Sequence, residues 1–338
     1  MNESKIYVKA AEQISIQTPL CEDWIDTPIV YDSLYNNAID PNFKEFLSAG
    51  EARRLGKILK RAVATSLTAI KKTGIEHPDA IITSTGLGCI ANTELFLTDL
   101  CNVGEQFLKP TLFMQSTHNT ISSLVAIITG SHGYNITYAH KGISFDSALL
   151  DAYTQISLGD IKNALVGAHD EMTASYFTLL QRIKYLGVEG MVSSGETAVS
   201  VMLDTDEKSS LCHIGGMKLM YKPSAEEMRN AVAQITAGEN IDAIMVGVNN
   251  NPENDAVYND ILAQLAIDSC VLQYKNIFGE SYTSSALGFY AASHCLSRGC
   301  VPQFMRYGNS DMPESLRNIL LINHADGKDI SFVLLKNK

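Results

Sequence analysis

"GISFDSALLDAYTQISLGD" (residues 142–160) and "GESYTSSALGFYAASHCLSRG" (residues 279–299) are two versions of one pattern. Each reads glycine, any residue, serine, aromatic. Each continues through Ser-Ala-Leu, at 147–149 and at 285–287, into a helical run that closes in Ser-x-Gly at Gly159 and Gly299. The copies drift by a residue or two, as duplicated segments do. The first is preceded by "NITYAHK" (residues 135–141), a strand-like run that turns through Lys141 and Gly142. A repeated glycine corner and Ser-rich helix start predicts a duplicated α/β chain in which two helix N-termini come together. Backbone N–H groups at such starts suit an oxyanion or a carboxylate. Small residues at the same places equally let two helices pack closely at the centre of a molecule.

The flanking sequence fits an α/β chain. "DAIITST" (79–85), "NALVGAH" (163–169) and "DAIMVGV" (242–248) are short apolar runs, which predict buried strands alternating with helices. "EARRLGKILKRAVATSLTAIKK" (51–72) has helical apolar spacing and a cationic end, which predicts one amphipathic helix. No low-complexity linker divides the chain, so two closely packed halves are expected, residues 1–205 and 206–338.

Of the 338 residues, 46% are hydrophobic and 19% charged, which provides for a large core. A formal charge of −11 without a basic stretch argues against nucleic acid as a partner. Apolar runs such as "SSLVAIITG" fall well short of the roughly 20 residues a bilayer span needs. The opening "MNESKIYVKAAEQ" has no apolar signal region, so a cytoplasmic protein is expected. Seven scattered cysteines without a CxxC pair read as reduced thiols. The histidines, among them His118, His132, His140 and His169, lack helical ligand spacing, so no metal is expected. "TGLG" alone does not mark a dinucleotide site, and GxSxG, HExxH and P-loop motifs are absent; no cofactor is expected.

Taken in order, five segments resemble the β-ketoacyl synthases, condensing enzymes of the thiolase fold, over nearly the whole chain. "DAIITSTGLG" (79–88) is similar to their early strand and Gly-rich turn. "LKPTLFMQSTHNTISSLVAIITGSHG" (108–133) is similar to their Pro…Asn…Gly-x-x-Gly segment, with Asn119 at the Asn. "QISLGDIKNALVGAHDE" (155–171) follows, then "MVSSGETAVSVML" (191–203) with Gly195 and Glu196. "YKNIFGESYTSSALG" (274–288) is similar to K-x-x-x-G-H-x-x-G-A-A-G and keeps Lys275 and Gly279. The resemblance implies a duplicated, five-layer αβαβα α/β fold with one helix N-terminus from each half aimed at one site.

The departures from that family bear on chemistry. The resemblance implies a nucleophilic Cys at the first corner, activated by the helix dipole; counting back from Gly159 puts Gly142 there. It implies two His residues that stabilise the carbanion formed on decarboxylation. In "NNPENDAVYND" (250–260), Asn250 and Asp260 match the pattern and Pro252 falls at the first His; Glu280 stands at the second. The Gly-rich C-terminal loop is replaced by "NHADGKDIS" (323–331). Ser144 reads as a cap or packing residue without a base beside it, Cys89 as a packed thiol, and Asp146 as a dipole and capping residue.

A kept scaffold with a lost nucleophile resembles the chain-length-factor subunits that pair with an active synthase. No catalytic residue is then expected, and a carboxylate at Glu280 opposes an enolate. The expected partners are an active β-ketoacyl synthase in a heterodimer, or a second copy in a homodimer, and an acyl carrier protein. That carrier is itself acidic and needs a local basic patch or the partner chain to dock. In this reading Leu112, Phe113, Met114 and Asn119 wall an acyl tunnel at the dimer interface; the alternative is that the three apolar side chains bury in the chain's own core. A stand-alone acyltransferase with relocated residues and an acyl-binding homodimer are the competing functions.

Overall fold

In a computed structural model that describes residues 5–338, ten strands alternate with helices. The strands are Ile6–Ile14 (β1), Ala80–Ser84 (β2), Tyr134–Tyr138 (β3), Asn163–Asp170 (β4), Thr197–Asp204 (β5), Cys212–Tyr221 (β6), Ala243–Val246 (β7), Cys270–Gln273 (β8), Asn318–Ala325 (β9) and Asp329–Lys336 (β10). The α-helices of the first half are Ala49–Arg54 (α1), Lys57–Thr73 (α2), Ile90–Val103 (α3), Pro110–Met114 (α4), Thr120–Thr129 (α5), Ser144–Leu158 (α6) and Ala174–Arg182 (α7). Ala225–Thr236 (α8), Pro252–Leu265 (α9), Lys275–Phe278 (α10) and Ser285–Arg298 (α11) complete the set.

The strands form one sheet in the order β3-β2-β4-β5-β1-β6-β10-β9-β7-β8. That order is a five-strand pattern followed by its own reverse. In the first five, β3, β2 and β4 are parallel, and β5 and β1 run antiparallel to their neighbours. In the second five, β8, β7 and β9 are parallel, and β10 and β6 are antiparallel. The halves meet where Ile6, Tyr7 and Val8 of β1 pair with Ile214, His213 and Cys212 of β6.

Strand alternation sorts the core into layers. One face of each half-sheet (Ile82, Val166 and Val201; Met245, Ile319 and Leu321) packs on Phe145 and Leu149 of α6 and on Leu287 and Phe289 of α11. The opposite face of the first half, with Ile81, Leu165 and Met202, packs on α2 and α5. That of the second half, with Ile244, Val246, Leu320 and Ile322, packs on α8 and α9. The result is a thiolase-like αβαβα arrangement with α6 and α11 as its centre. Both central helices end on the repeated glycine, Gly159 at φ 80° and Gly299 at φ 71°, a left-handed cap that a residue with a Cβ adopts only under strain.

One expectation is corrected. Residues 51–72 do not form one helix; α1 ends at Arg54 and α2 begins at Lys57. Leu55 and Gly56 are extended, and a Cβ at Gly56 would stand 3.3 Å from the Asn92 amide. The helical apolar spacing continues across the break and hides it. Among the described residues no helix is long and apolar enough to cross a membrane.

Candidate functional site

The C-terminal ends of β3, β7, β8 and β9 converge on a cavity of about 460 Å³. Strand ends of this kind are where open α/β sheets place ligands. Both glycine corners reach it: Lys141 and Gly142 from the first, Glu280, Ser281, Tyr282 and Ser284 from the second.

At the first corner the backbone leaves β3, and Lys141 takes φ 51°, a left-handed conformation that is costly for a non-glycine residue. Gly142 itself is not in that region. A Cβ there would meet Ala325 Cβ at 3.7 Å and the Tyr282 carbonyl at 4.0 Å, which is ordinary contact. Neither backbone nor space therefore requires a glycine. The Ser144 hydroxyl is fully buried; it accepts from the His140 amide at 2.7 Å and lies 2.9 Å from the Thr85 carbonyl and 2.7 Å from that of Lys141. Its hydrogen bonds shape the corner and leave it facing away from the cavity lining.

Asp146 departs from the expected cap. It is buried, and its carboxylate accepts from Ser285 of α11 at 3.0 Å, Asn323 of β9 at 2.8 Å and Ser331 of β10. Burial pushes its carboxyl above the usual range, and these three bonds offset that only in part. Asn323 also donates to the Gly142 carbonyl at 2.9 Å, so one carboxylate ties the first corner to the second half.

At the second corner Gly279 (φ 78°) brings Glu280 back against residues 193–195: the Glu280 amide donates to Ser193 O at 2.8 Å and Glu280 O accepts from Gly195 N at 2.9 Å. A Cβ at Gly279 would stand 2.9 Å from the Ser193 carbonyl, so glycine is needed there. The buried Glu280 carboxylate pairs with Lys275 Nζ at 2.7 Å and accepts from Asn249 at 2.7 Å and Ser284 at 3.2 Å. The carboxylate at Glu280 is thus held in a buried ion pair with Lys275.

Pro252, the residue that the family resemblance puts at the first His, lies beside the cavity's β7 end. It is the first residue of α9, where a missing N–H is harmless, and it does not line the cavity. The side chain that faces Glu280 from the β7 end is Asn249, three residues earlier. Asn250, next to it, takes φ 63°. Asn249 is the first polar side chain after the apolar run 243–248, and this strand-end position is the sequence signal that would have found it.

His324, also in the lining, has both ring nitrogens engaged: Nε2 faces the Asn254 carbonyl at 3.2 Å and Nδ1 accepts from the Gly327 amide at 3.3 Å. Those partners assign the neutral ring, and burial lowers its pKa to about 4. Asp170, unnoticed in the sequence, accepts from Thr85 Oγ1 (2.9 Å), the Gly86 and Leu87 amides (2.9 and 3.0 Å) and Thr283 Oγ1 (2.8 Å). It clamps the "TGLG" turn to the second corner. There a Cβ on Gly86 would lie 2.3 Å from Tyr282 Cβ, so the turn and the second corner approach too closely for any residue but glycine. Cys89 is fully buried and its thiol is pushed up to about 12, first by burial and then by Glu171.

The segment 112–119 lies elsewhere. Phe113 is 57% exposed and Met114 68%, Leu112 is half-buried, and Asn119 is exposed at the start of α5. Burial in the chain's own core is thus excluded for Phe113 and Met114. Phe113 rests on Phe96 of α3 at 5.4 Å between ring centres. Among the described residues β3, at the end of the sheet, pairs only with β2.

The family model for the β-ketoacyl synthase N-terminal domain matches residues 24–247. Among solved structures, "the ishigamide ketosynthase/chain length factor" superposes with a TM-score of 0.84 at 16% identity, covering 99% of this chain and 100% of that one. A β-ketoacyl synthase from Burkholderia phymatum gives 0.81 at 12% identity, with 99% and 100% covered. A ketosynthase in complex with its chain length factor from Xenorhabdus doucetiae gives 0.78 at 11%, with 99% and 98% covered. At these identities the likeness is one of fold. No curated protein matches the chain.

Proposed function

The chain belongs to the β-ketoacyl synthase family, and from that premise we propose that it is a non-catalytic, chain-length-factor-like partner of an active synthase. The carrying observation is the cavity. At the place the family resemblance gives to the nucleophile it holds Gly142, and opposite stands a Lys275–Glu280 ion pair with Asn249 in place of two imidazoles. Its one histidine, His324, has both nitrogens occupied, so neither is free to act as a base. Among the described residues the lining includes no cysteine, Ser284 is bonded to Glu280, and Ser281 is bonded to Thr197 at 2.6 Å.

In this reading the halves 1–205 and 206–338 are the two copies of the fold. The chain contributes a surface to a partner synthase: exposed Phe113 and Met114, with Leu112 and Asn119 in the same segment. Two of the structural neighbours are by their descriptions ketosynthases with chain length factors, which favours a heterodimer over a homodimer. An acyl carrier protein delivers substrate to the assembly, and the pathway is one of fatty acid, polyketide or aryl-polyene type, carried out in the cytoplasm.

The test is co-expression with an intact synthase, followed by isolation of a mixed dimer and incubation with acyl- and malonyl-carrier protein. The mixed dimer is expected to form products, and the isolated chain to take up no acyl group by intact mass. An acyl adduct on the isolated chain that disappears with Ser144→Ala would overturn the assignment in favour of a stand-alone acyltransferase.

A further inference from the structure

The protein does not use all the polar groups that line the cavity of about 460 Å³. Lys275 is in the lining and only 7% exposed, yet among the described residues its ammonium makes a single hydrogen bond, 2.7 Å to Glu280 Oε2. Two of its three N–H groups are left without an acceptor. Buried donors in that state are costly, so these two require oxygen atoms from within the cavity.

The rim repeats the pattern with both signs. Glu253, in the first turn of α9, and Asp326, in the turn between β9 and β10, have carboxylates that accept no hydrogen bond among the described residues. Lys141, at the first corner, offers an unpaired ammonium. Asn251 spends its Oδ1 on the Glu253 amide at 3.0 Å and keeps its Nδ2 hydrogens free. Beside these groups stands an aromatic wall. Tyr185, 41% exposed, stacks on Tyr282 with ring centres 5.7 Å apart and planes at 23°.

These features sort the ligand classes. An acyl chain would find only Leu186, Val257 and Ala325 as aliphatic contacts among the described residues, and would leave the Lys275 donors unmet. An anion would meet three carboxylates, Glu253, Glu280 and Asp326, against two ammonium groups. An organic cation would meet those two ammonium groups, Lys141 and Lys275. A hydroxyl both donates and accepts, so it answers ammonium, amide and carboxylate alike. Several hydroxyls on a compact ring, with a C–H face toward the tyrosines, match the whole lining.

We propose that the cavity is a binding site for a small neutral polyol of sugar size. Glu253 and Asp326 accept from its hydroxyls, and Lys275, Lys141 and Asn251 donate to them. The site stands apart from the pairing with a synthase, because it uses neither the segment 112–119 nor an acyl group.

The test is saturation-transfer NMR and titration calorimetry on the full chain, with maltose and myo-inositol as probes. Hexanoate and spermidine serve as the apolar anion and the organic cation. Saturation transfer to at least one polyol is expected, with a Kd near or below about 1 mM and weaker binding of both controls. Glu253→Gln and Asp326→Asn change exposed rim positions and should each weaken polyol binding about tenfold, the loss of a hydrogen bond to a charged group. Glu226→Gln, exposed on α8 and outside the lining, should leave binding unchanged. Absence of transfer to both polyols would overturn the proposal, and so would tighter binding of hexanoate or spermidine. Binding unchanged in both Glu253→Gln and Asp326→Asn would put the polyol elsewhere and overturn it as well. A chain that fails these tests yet still forms a mixed dimer loses the polyol site alone and keeps its role as a partner subunit.

Discussion

Lys275 Nζ stands 2.7 Å from Glu280 Oε2 at the cavity floor, with 8% and 10% of their side chains exposed. Lys275 opens α10 and Glu280 follows its Gly279 turn, so a five-residue spacing in the sequence becomes a buried ion pair. Removing one member leaves the other charge in a site built to neutralise it. Lys275→Met should lower unfolding stability by about 3–5 kcal/mol. Lys275→Met with Glu280→Gln should recover most of that loss, because the amide oxygen still accepts from Asn249 and its NH2 donates to the Ser284 hydroxyl. Urea unfolding of the three proteins checks this; a Lys275→Met change below about 1 kcal/mol would remove the pair from the account of the floor.

Gly142→Cys tests whether a thiol alone restores chemistry. The Cβ has ordinary contacts and an ordinary φ, so stability should change by less than about 1 kcal/mol. Carbon dioxide release from malonyl-carrier protein should stay at background. Decarboxylation in the resembled enzymes needs two imidazoles, Asn249 and Glu280 supply none, and residues that act as a unit are not additive. Detectable release by the single variant would show that another group supports decarboxylation.

His169 on β4 is fully buried, neither ring nitrogen has a hydrogen-bond partner among the described residues, and burial lowers its pKa to about 3. A folded value below the unfolded one, near 6.5, means that the unfolded chain takes up the proton first. This contribution is therefore complete above about pH 6.5 and is lost as pH falls toward about 3, with a slope of up to about 1.4 kcal/mol per pH unit. His169→Gln should unfold more easily at pH 7 yet show a flatter decline in stability toward pH 4. Denaturant midpoints across that range give the two slopes, and equal slopes would contradict the assignment.

The thiols divide by burial. Cys89, Cys212 and Cys295 are each pushed up to about 12 by burial, whereas Cys101 and Cys300 are exposed. Only the thiolate reacts, so iodoacetamide at pH 8 should label Cys101 and Cys300 first and spare the other three until the chain is denatured. Rapid labelling of Cys89 in the native protein, seen by peptide mass mapping, would reopen it as a reactive residue.

The paired segments 142–160 and 279–299 made the fold legible because a duplicated corner leaves both a local signature, the left-handed glycine cap, and a long-range one, two helices at one centre. The site was less legible. Glu280 and Lys275 could be found by their fixed spacing from Gly279. Asn249 could not be found that way, because loop length between β7 and α9 is free to vary and the pairing of Asn249 with Glu280 is a contact between distant segments. Asp146 and Asp170 were opaque for the same reason: acidic residues near a helix start and a strand end look solvated in sequence, and only the packed halves show them bonded on all sides.

Phe113 gives the clearest division between tunnel wall and core. Its ring is more than half exposed and touches Phe96, so in this chain alone it covers little. Phe113→Ala should therefore shift the stability of the isolated chain by less than about 0.5 kcal/mol, in contrast to the 3–5 kcal/mol expected for a buried ring. In a mixed dimer the same ring would be covered by the partner and by the end of an acyl chain. Trimming it frees room for further methylenes, each worth about 0.8 kcal/mol when buried, so the product distribution should move to longer chains while the dimer still assembles. A melting curve on the isolated variant and product mass spectrometry on the complex read the two effects separately. An unchanged product distribution from an intact mixed dimer would remove Phe113 from the tunnel, and a large loss of stability in the isolated chain would return it to the core.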